Sequence, residues 1–258
     1  MRFLLFNIAY GAGVGTRLHF PFPYAGHVKH TGRNFERILG FIRSMAPDIV
    51  GLVEVDAGSF RSGKSNQADR IARAMDHRSF YESKYGTASM ARYVPVLNKQ
   101  GNAILVNRPV AARRLHYFSL GMKRLVLEVE MEAFTVFLVH LSLKFRIRHH
   151  QLRELYEIVR RAEKPVILAG DFNAFQGDRE LALFLAATGL RTANPDGDPS
   201  YPSRSPRIQL DYIFHGPELE TLHFEIPRVR LSDHAPLVWD FTCDGCGETK
   251  PLSEEFPS

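Results

Sequence analysis

Four short apolar runs in this chain end in a side chain able to do acid–base or metal chemistry. Phe3-Leu4-Leu5-Phe6 runs into Asn7, Ile49-Val50-Gly51-Leu52-Val53 into Glu54, and Val136-Phe137-Leu138-Val139 into His140. Val166-Ile167-Leu168-Ala169-Gly170 runs into Asp171, with Asn173 two residues on. One such ending carries little weight, because Asp and Asn start turns well. Four, drawn from the acid, amide and imidazole set, point to a shared site, since layered α/β folds build ligand sites beyond the carboxyl ends of their strands. Two further pieces fit. Asp211 opens the apolar run Asp211-Tyr212-Ile213-Phe214, and Ser232-Asp233-His234 precedes another at residues 237–241. A buried Asp that takes the Nδ1 proton of a histidine fixes its tautomer. With no G-x-S-x-G nucleophile signature nearby, the pattern does not support a serine hydrolase.

The elements that must hold these residues are legible in outline. The four runs are short and mostly apolar, three of them with β-branched residues, as expected of strands covered on both faces. Residues 78–83, 102–106, 125–130, 211–214 and 237–241 add strand candidates. Helical spacing appears in Phe35/Ile38/Leu39/Ile42/Met45, in Ala68/Ile71/Ala72/Met75 after Ser65 as N-cap, and in Leu152/Leu155/Tyr156/Val159. Leu181/Phe184/Leu185/Thr188 gives a fourth helix, closed by Gly189. Many strands with four interspersed helices indicate an α/β protein with large mixed sheets.

Composition sets the outer bounds. The 258 residues carry 33 Lys plus Arg against 28 Asp plus Glu, a net charge of +5 that suits anionic partners without naming one. At 45% hydrophobic and 24% charged the chain is an ordinary globule. No apolar run approaches the ~18 residues of a membrane span, and residues 3–6 are too short for a signal-peptide core. A cytoplasmic monomer, peripherally membrane-associated at most, is the expectation. The two cysteines exclude a disulfide framework. Cys243 and Cys246 form a C-x2-C with no second pair to complete a zinc site, and read as incidental, with weak metal binding or a labile disulfide as alternatives. One domain is expected over residues 1–242, with 243–258 a disordered tail.

In their order, Asn7, Val53-Glu54, Gly101-Asn102-Ala103-Ile104-Leu105, Val139-His140-Leu141, Gly170-Asp171-Phe172-Asn173, Leu210-Asp211-Tyr212-Ile213 and Ser232-Asp233-His234 resemble the endonuclease/exonuclease/phosphatase superfamily. The resemblance runs over residues 2–242. It implies a four-layered α/β sandwich, two mixed sheets face to face with helices outside, and metal-assisted hydrolysis of a phosphoester. It places Mg²⁺ or Mn²⁺ on Glu54, with Asn7 and Asp233 as nearby or water-bridged ligands. Asp171 would deprotonate the attacking water and Asn173 would bind that water or a phosphate oxygen. His234, oriented by Asp211, is the alternative base or a charge stabiliser. His140 would donate to phosphate or the leaving group, with Glu82 as its candidate orienting acid. Asn102 is a weaker candidate for substrate contact.

Abasic-site endonucleases of this superfamily carry Asp where this chain has Ala9, and their DNA-inserting loops are not recognisable here. The Gly101–Leu105 and Val139–Leu141 segments look closer to the sphingomyelinase-like and uncharacterised bacterial branches. A lipid-like or small phosphodiester is therefore the first substrate reading, nucleic acid the second, and a non-catalytic binding module the third. The long connection over residues 11–30 leaves a catalytic strand end. Its Phe20 and Phe22 are candidates for a lid or membrane-contacting wedge, against the plainer reading of aromatics packed flat.

Overall fold

The computed structural model describes residues 1–13, 31–83 and 99–243. Two six-stranded sheets dominate it. The first holds β1 (Arg2–Asn7), β2 (Ile49–Asp56), β3 (Arg78–Ser83), β4 (Gln100–Val106), β11 (Leu219–Glu225) and β12 (Leu237–Cys243), in the order β11-β12-β1-β2-β4-β3. The second holds β5 (Val110–Tyr117), β6 (Leu125–Met131), β7 (Thr135–His140), β8 (Val166–Asp171), β9 (Arg191–Thr192) and β10 (Asp211–His215), ordered β5-β6-β7-β8-β10-β9. Each sheet contains one parallel pair, β1 with β2 and β7 with β8, so both are mixed.

The continuous apolar runs follow from burial on both faces. Phe3 and Leu5 of β1 point into the core between the sheets with Val136 and Leu138 of β7 and Ile167 and Ala169 of β8. The alternate residues Leu4 and Phe6 point outward to helices α1 (Gly32–Met45) and α2 (Gln67–Met75). Phe137, Val139 and Leu168 face α3 (Phe145–Val159) and α4 (Ala182–Thr188). Helices thus cover the outer face of each sheet, giving four layers as expected.

Some local expectations need correction. Helix α2 is capped by Asn66, not Ser65: the Asn66 side chain accepts from Ala68 N at 3.0 Å, and Ser65 precedes the cap. Gly189 closes α4 with φ +72, as the spacing predicted. Strands β5, β9 and β11 escaped the sequence reading. All three are sheet edges, and β5 and β11 carry exposed charged residues such as Arg113, Arg114 and Glu220, which blunt open edges and erase the apolar pattern. Cys243 is disulfide-bonded and so not an idle thiol, while Cys246 and the rest of the expected tail lie outside the described residues. Among the described residues no helix is long and apolar enough to cross a membrane.

Candidate active site

The strand ends that carry the polar residues come from both sheets and meet. Across the inter-sheet core, Asn7 Nδ2 donates to Asp171 Oδ2 at 3.1 Å. His140 and Asp171 are register partners on the parallel pair, and His140 Nε2 lies 3.2 Å from the same Oδ2. Asp211 sits opposite Asp171 on the antiparallel neighbour. Its Oδ2 accepts from Ser200 Oγ at 2.6 Å and pairs with His234 Nδ1 at 2.8 Å. His234 Nε2 is in turn 3.9 Å from Asp171 Oδ2. Asn7, His140, Asp171, Asn173, Asp211 and His234 are all buried.

The backbone is shaped to deliver these groups. Gly170 has φ +151, and a Cβ there would stand 2.0 Å from the Val139 carbonyl oxygen, so only glycine lets the two strands approach just before His140 and Asp171. Asn173 takes the left-handed conformation at φ +50, tolerable for Asn. Its N–H donates to Asp171 Oδ1 at 3.0 Å and its Nδ2 to the Leu141 carbonyl at 3.0 Å. Glu54 sits at φ +57 inside a register shift between Leu52 and Val55, a strained position for a side chain of its kind. Asn102, 1% exposed, accepts from the Glu54 backbone N–H at 3.4 Å. Asp233 is exposed, with its Oδ1 accepting from Ser232 Oγ at 3.1 Å. Glu82 accepts from the Ser83 N–H and is not the partner of His140, whose buried Nδ1 has no hydrogen-bond partner among the described residues. Phe20 and Phe22 lie outside the described residues.

Charge separates the two histidines. Burial and the positive charge of Lys123 push His140 down to about 4, against the pull of Asp171, so it is neutral at pH 7. Burial also acts to lower His234, but Asp211 and Asp171 outweigh it and raise it to about 10. Burial opposes ionisation of Asp171, yet His140, His234 and Lys123 together hold it below the usual carboxylate range. Burial raises Asp211 in spite of its ion pair with His234. The site therefore holds an ionised Asp171 beside a protonated His234.

Asp171, Asp211 and His234 offer ligand atoms within 4.8 Å of one another, a geometry able to hold a cation. As it stands this group is a hydrogen-bonded relay, because a protonated imidazole has no lone pair to give a metal. Glu54 and Asn7 supply hard oxygen donors on the adjacent strand ends.

The Endonuclease/Exonuclease/phosphatase family model matches residues 4–234. The chain belongs to that family. Members of that family are phosphoester hydrolases that generally use a divalent metal. The catalytic domain of human Nocturnin, solved with a bound sulfate anion, superposes with a TM-score of 0.69 at 21% identity, covering 94% of this chain and 93% of that one. The Bacteroides thetaiotaomicron mannosyl-6-phosphatase gives 0.67 at 14% identity, covering 94% and 99%. TDP2 of D. rerio complexed with a single-strand DNA product gives 0.66 at 15%, covering 94% and 98%. By sequence, the chain is 33% identical over 118 residues to the UPF0294 protein of Yersinia enterocolitica, spanning 46% of this chain and only 43% of that protein.

Two members of this buried cluster had no readable signal. Lys123 meets His140 Nε2 directly, yet in the sequence it is one of several scattered basic pairs. Ser200 donates to Asp211 Oδ2 from a loop without any motif, and its carbonyl accepts from Ala235 N at 2.8 Å, tying that loop to the His234 turn.

Proposed function

We propose that this chain is a divalent-metal-dependent phosphodiesterase that cleaves a lipid-like or small phosphodiester by attack of water. The observation that carries the reading is the chain of contacts Asp211–His234–Asp171, with Asp171 also facing His140 and Asn7. Asp171, held ionised, takes the proton of the attacking water and orients it together with Asn173. Asn173 has a second amide hydrogen beyond the one given to Leu141, and donates it to a phosphate oxygen. His234 is already charged, so it serves as the cation facing the developing negative charge, not as the base. Asp211 holds it in that state.

His140 Nε2 faces both Lys123 Nζ and Asp171, and one nitrogen cannot accept from the first while donating to the second. A phosphate oxygen between them resolves the conflict by taking the lysine. Glu54 and Asn7, with Asp233, would hold Mg²⁺ or Mn²⁺; few carboxylates, one amide and remaining waters suit such ions. When bound, the ion polarises the phosphoryl group and stabilises the leaving oxygen.

The test is a panel of sphingomyelin, phosphoinositides, plasmid DNA, abasic DNA and an aryl phosphodiester, each with Mg²⁺, Mn²⁺ or EDTA. Hydrolysis should require metal and vanish in Asp171→Ala. No turnover of any substrate, or an undiminished Asp171→Ala, removes the reading. A nuclease is the second reading, favoured by a groove of about 510 Å³ beside the His234 turn that is lined by Arg204, Arg228 and Arg230. These charges suit further phosphates, and a nucleic-acid substrate would show a steep loss of affinity with salt.

A further inference from the structure

Ten large hydrophobic side chains are exposed among the described residues, and six of them lie on three segments that adjoin strands of the site. Leu120 and Met122 lie just before β6, Leu143 and Phe145 follow His140, and Phe175 and Leu183 follow Asn173. Met122, Leu143 and Leu183 are 69%, 60% and 80% exposed. Large apolar side chains this exposed on three tethered segments beside a site mark an interaction surface.

These segments are held in place. Gln151 of α3, fully buried, donates to the carbonyls of Leu120 at 3.0 Å and Lys123 at 2.7 Å, and accepts from Ser142 N at 2.9 Å. Gly121 has φ +102, and a Cβ there would stand 2.8 Å from Gln151 Nε2, so the segment packs tightly on α3. Arg148, one turn earlier, donates to the carbonyls of Ser142 and Leu143 and pairs with buried Glu180 at 2.6 Å. Glu180 accepts from Gln176 N at 2.8 Å, which anchors the third segment. The apolar side chains are therefore presented by a satisfied buried network and are not loose loop tips.

We infer that this rim docks on the surface of an anionic phospholipid bilayer. Exposed Lys144, Arg146 and Arg179 are interleaved with the apolar side chains, and no described ion pair neutralises them. Cations beside inserting hydrophobes match an anionic headgroup layer over acyl chains. Four of the six hydrophobes are aliphatic and have no ring to stack on bases, which favours lipid over nucleic acid. Because the rim continues from the strand ends of His140 and Asp171, docking sets the site against the headgroup phosphodiesters. The inference rests on the phosphodiesterase reading and deepens it, and it is independent of the 11–30 connection.

The experiment is flotation of the full chain with extruded vesicles of phosphatidylcholine, alone or mixed with phosphatidylglycerol. The wild type should float with the mixed vesicles. Met122→Ser/Leu143→Ser/Leu183→Ser should lower that partitioning at least tenfold while hydrolysing a soluble aryl phosphodiester as fast as wild type, which also shows that it folds. Lys144→Glu/Arg146→Glu should lose binding to the mixed vesicles as well. A wild type that stays in the soluble fraction, or a triple variant that floats equally well, overturns the inference. So does a rim whose substitution abolishes self-association or DNA binding and leaves vesicle binding intact. Vesicle binding by a wild type with no phosphodiesterase activity upholds the surface and refutes only the catalytic reading.

Discussion

Replacing Asp211 by Asn tests the electrostatic account of the site. At an effective dielectric of about 20, unit charges 2.8 Å apart attract by roughly 6 kcal/mol and charges 3.9 Å apart by roughly 4 kcal/mol. These are the separations of His234 from Asp211 and from Asp171. The rise of His234 from 6.5 to about 10 is worth roughly 5 kcal/mol, so burial must take back roughly 5 kcal/mol of the attraction. Without the Asp211 charge, about 4 kcal/mol of attraction opposes about 5 kcal/mol of burial. His234 in Asp211→Asn should then titrate near or below its ordinary 6.5 and be neutral at pH 7.5. The measurement is an imidazole nitrogen NMR titration in EDTA, with His234→Gln to assign the signal. Turnover of the best substrate should fall by about 10²–10⁴, the scale seen when an orienting acid is lost. Titration still above about 9, or a kcat loss under about threefold, would show that Asp211 neither charges nor orients His234.

The remaining predictions concern stability as well as turnover. Glu54→Gly should abolish metal-dependent turnover yet raise the urea unfolding free energy by about 1 kcal/mol, since a left-handed non-glycine residue costs about 1–2 kcal/mol; a destabilised variant would mean that the side chain holds the fold. Arg148→Met strands the buried Glu180 charge and should cost about 3–5 kcal/mol, whereas Arg148→Met/Glu180→Leu should cost less, both read by urea unfolding. In EDTA the folding stability should peak near pH 6.5. The raised His234 contributes in full below 6.5 and its share is lost as pH climbs through about 10. The lowered His140 acts on the other side: between 6.5 and about 4 the unfolded chain takes a proton that the folded one refuses, so stability falls with pH. His234→Gln should flatten the alkaline limb, and an unchanged limb would refute the assignment.

The sequence by itself determined which polar residues close the apolar runs of the central strands, and hence the candidate residues of the site; in the structure β2 carries on past Glu54 to Asp56. Asn7, Glu54, His140 and Asp171 were readable because strands buried on both faces write continuous apolar runs, and a polar residue that stops such a run stands out. Of the four edge strands only β3 was readable; β5, β9 and β11 were not, because solvent on one side and charges along the edge erase that pattern. Only the tertiary structure decided who meets whom. Packing the two sheets face to face brings Asn7 to Asp171 from 164 residues away, and nothing local to either residue specifies that contact. Lys123 and Ser200 likewise join the site through loops whose positions α3 and the His234 turn dictate. Proton affinity belongs to the same category. His140 and His234 are the same residue type with the same ordinary value, and opposite neighbours drive one down to about 4 and the other up to about 10. Such shifts arise from burial and from charges a few ångströms away, quantities that exist only once the chain has folded.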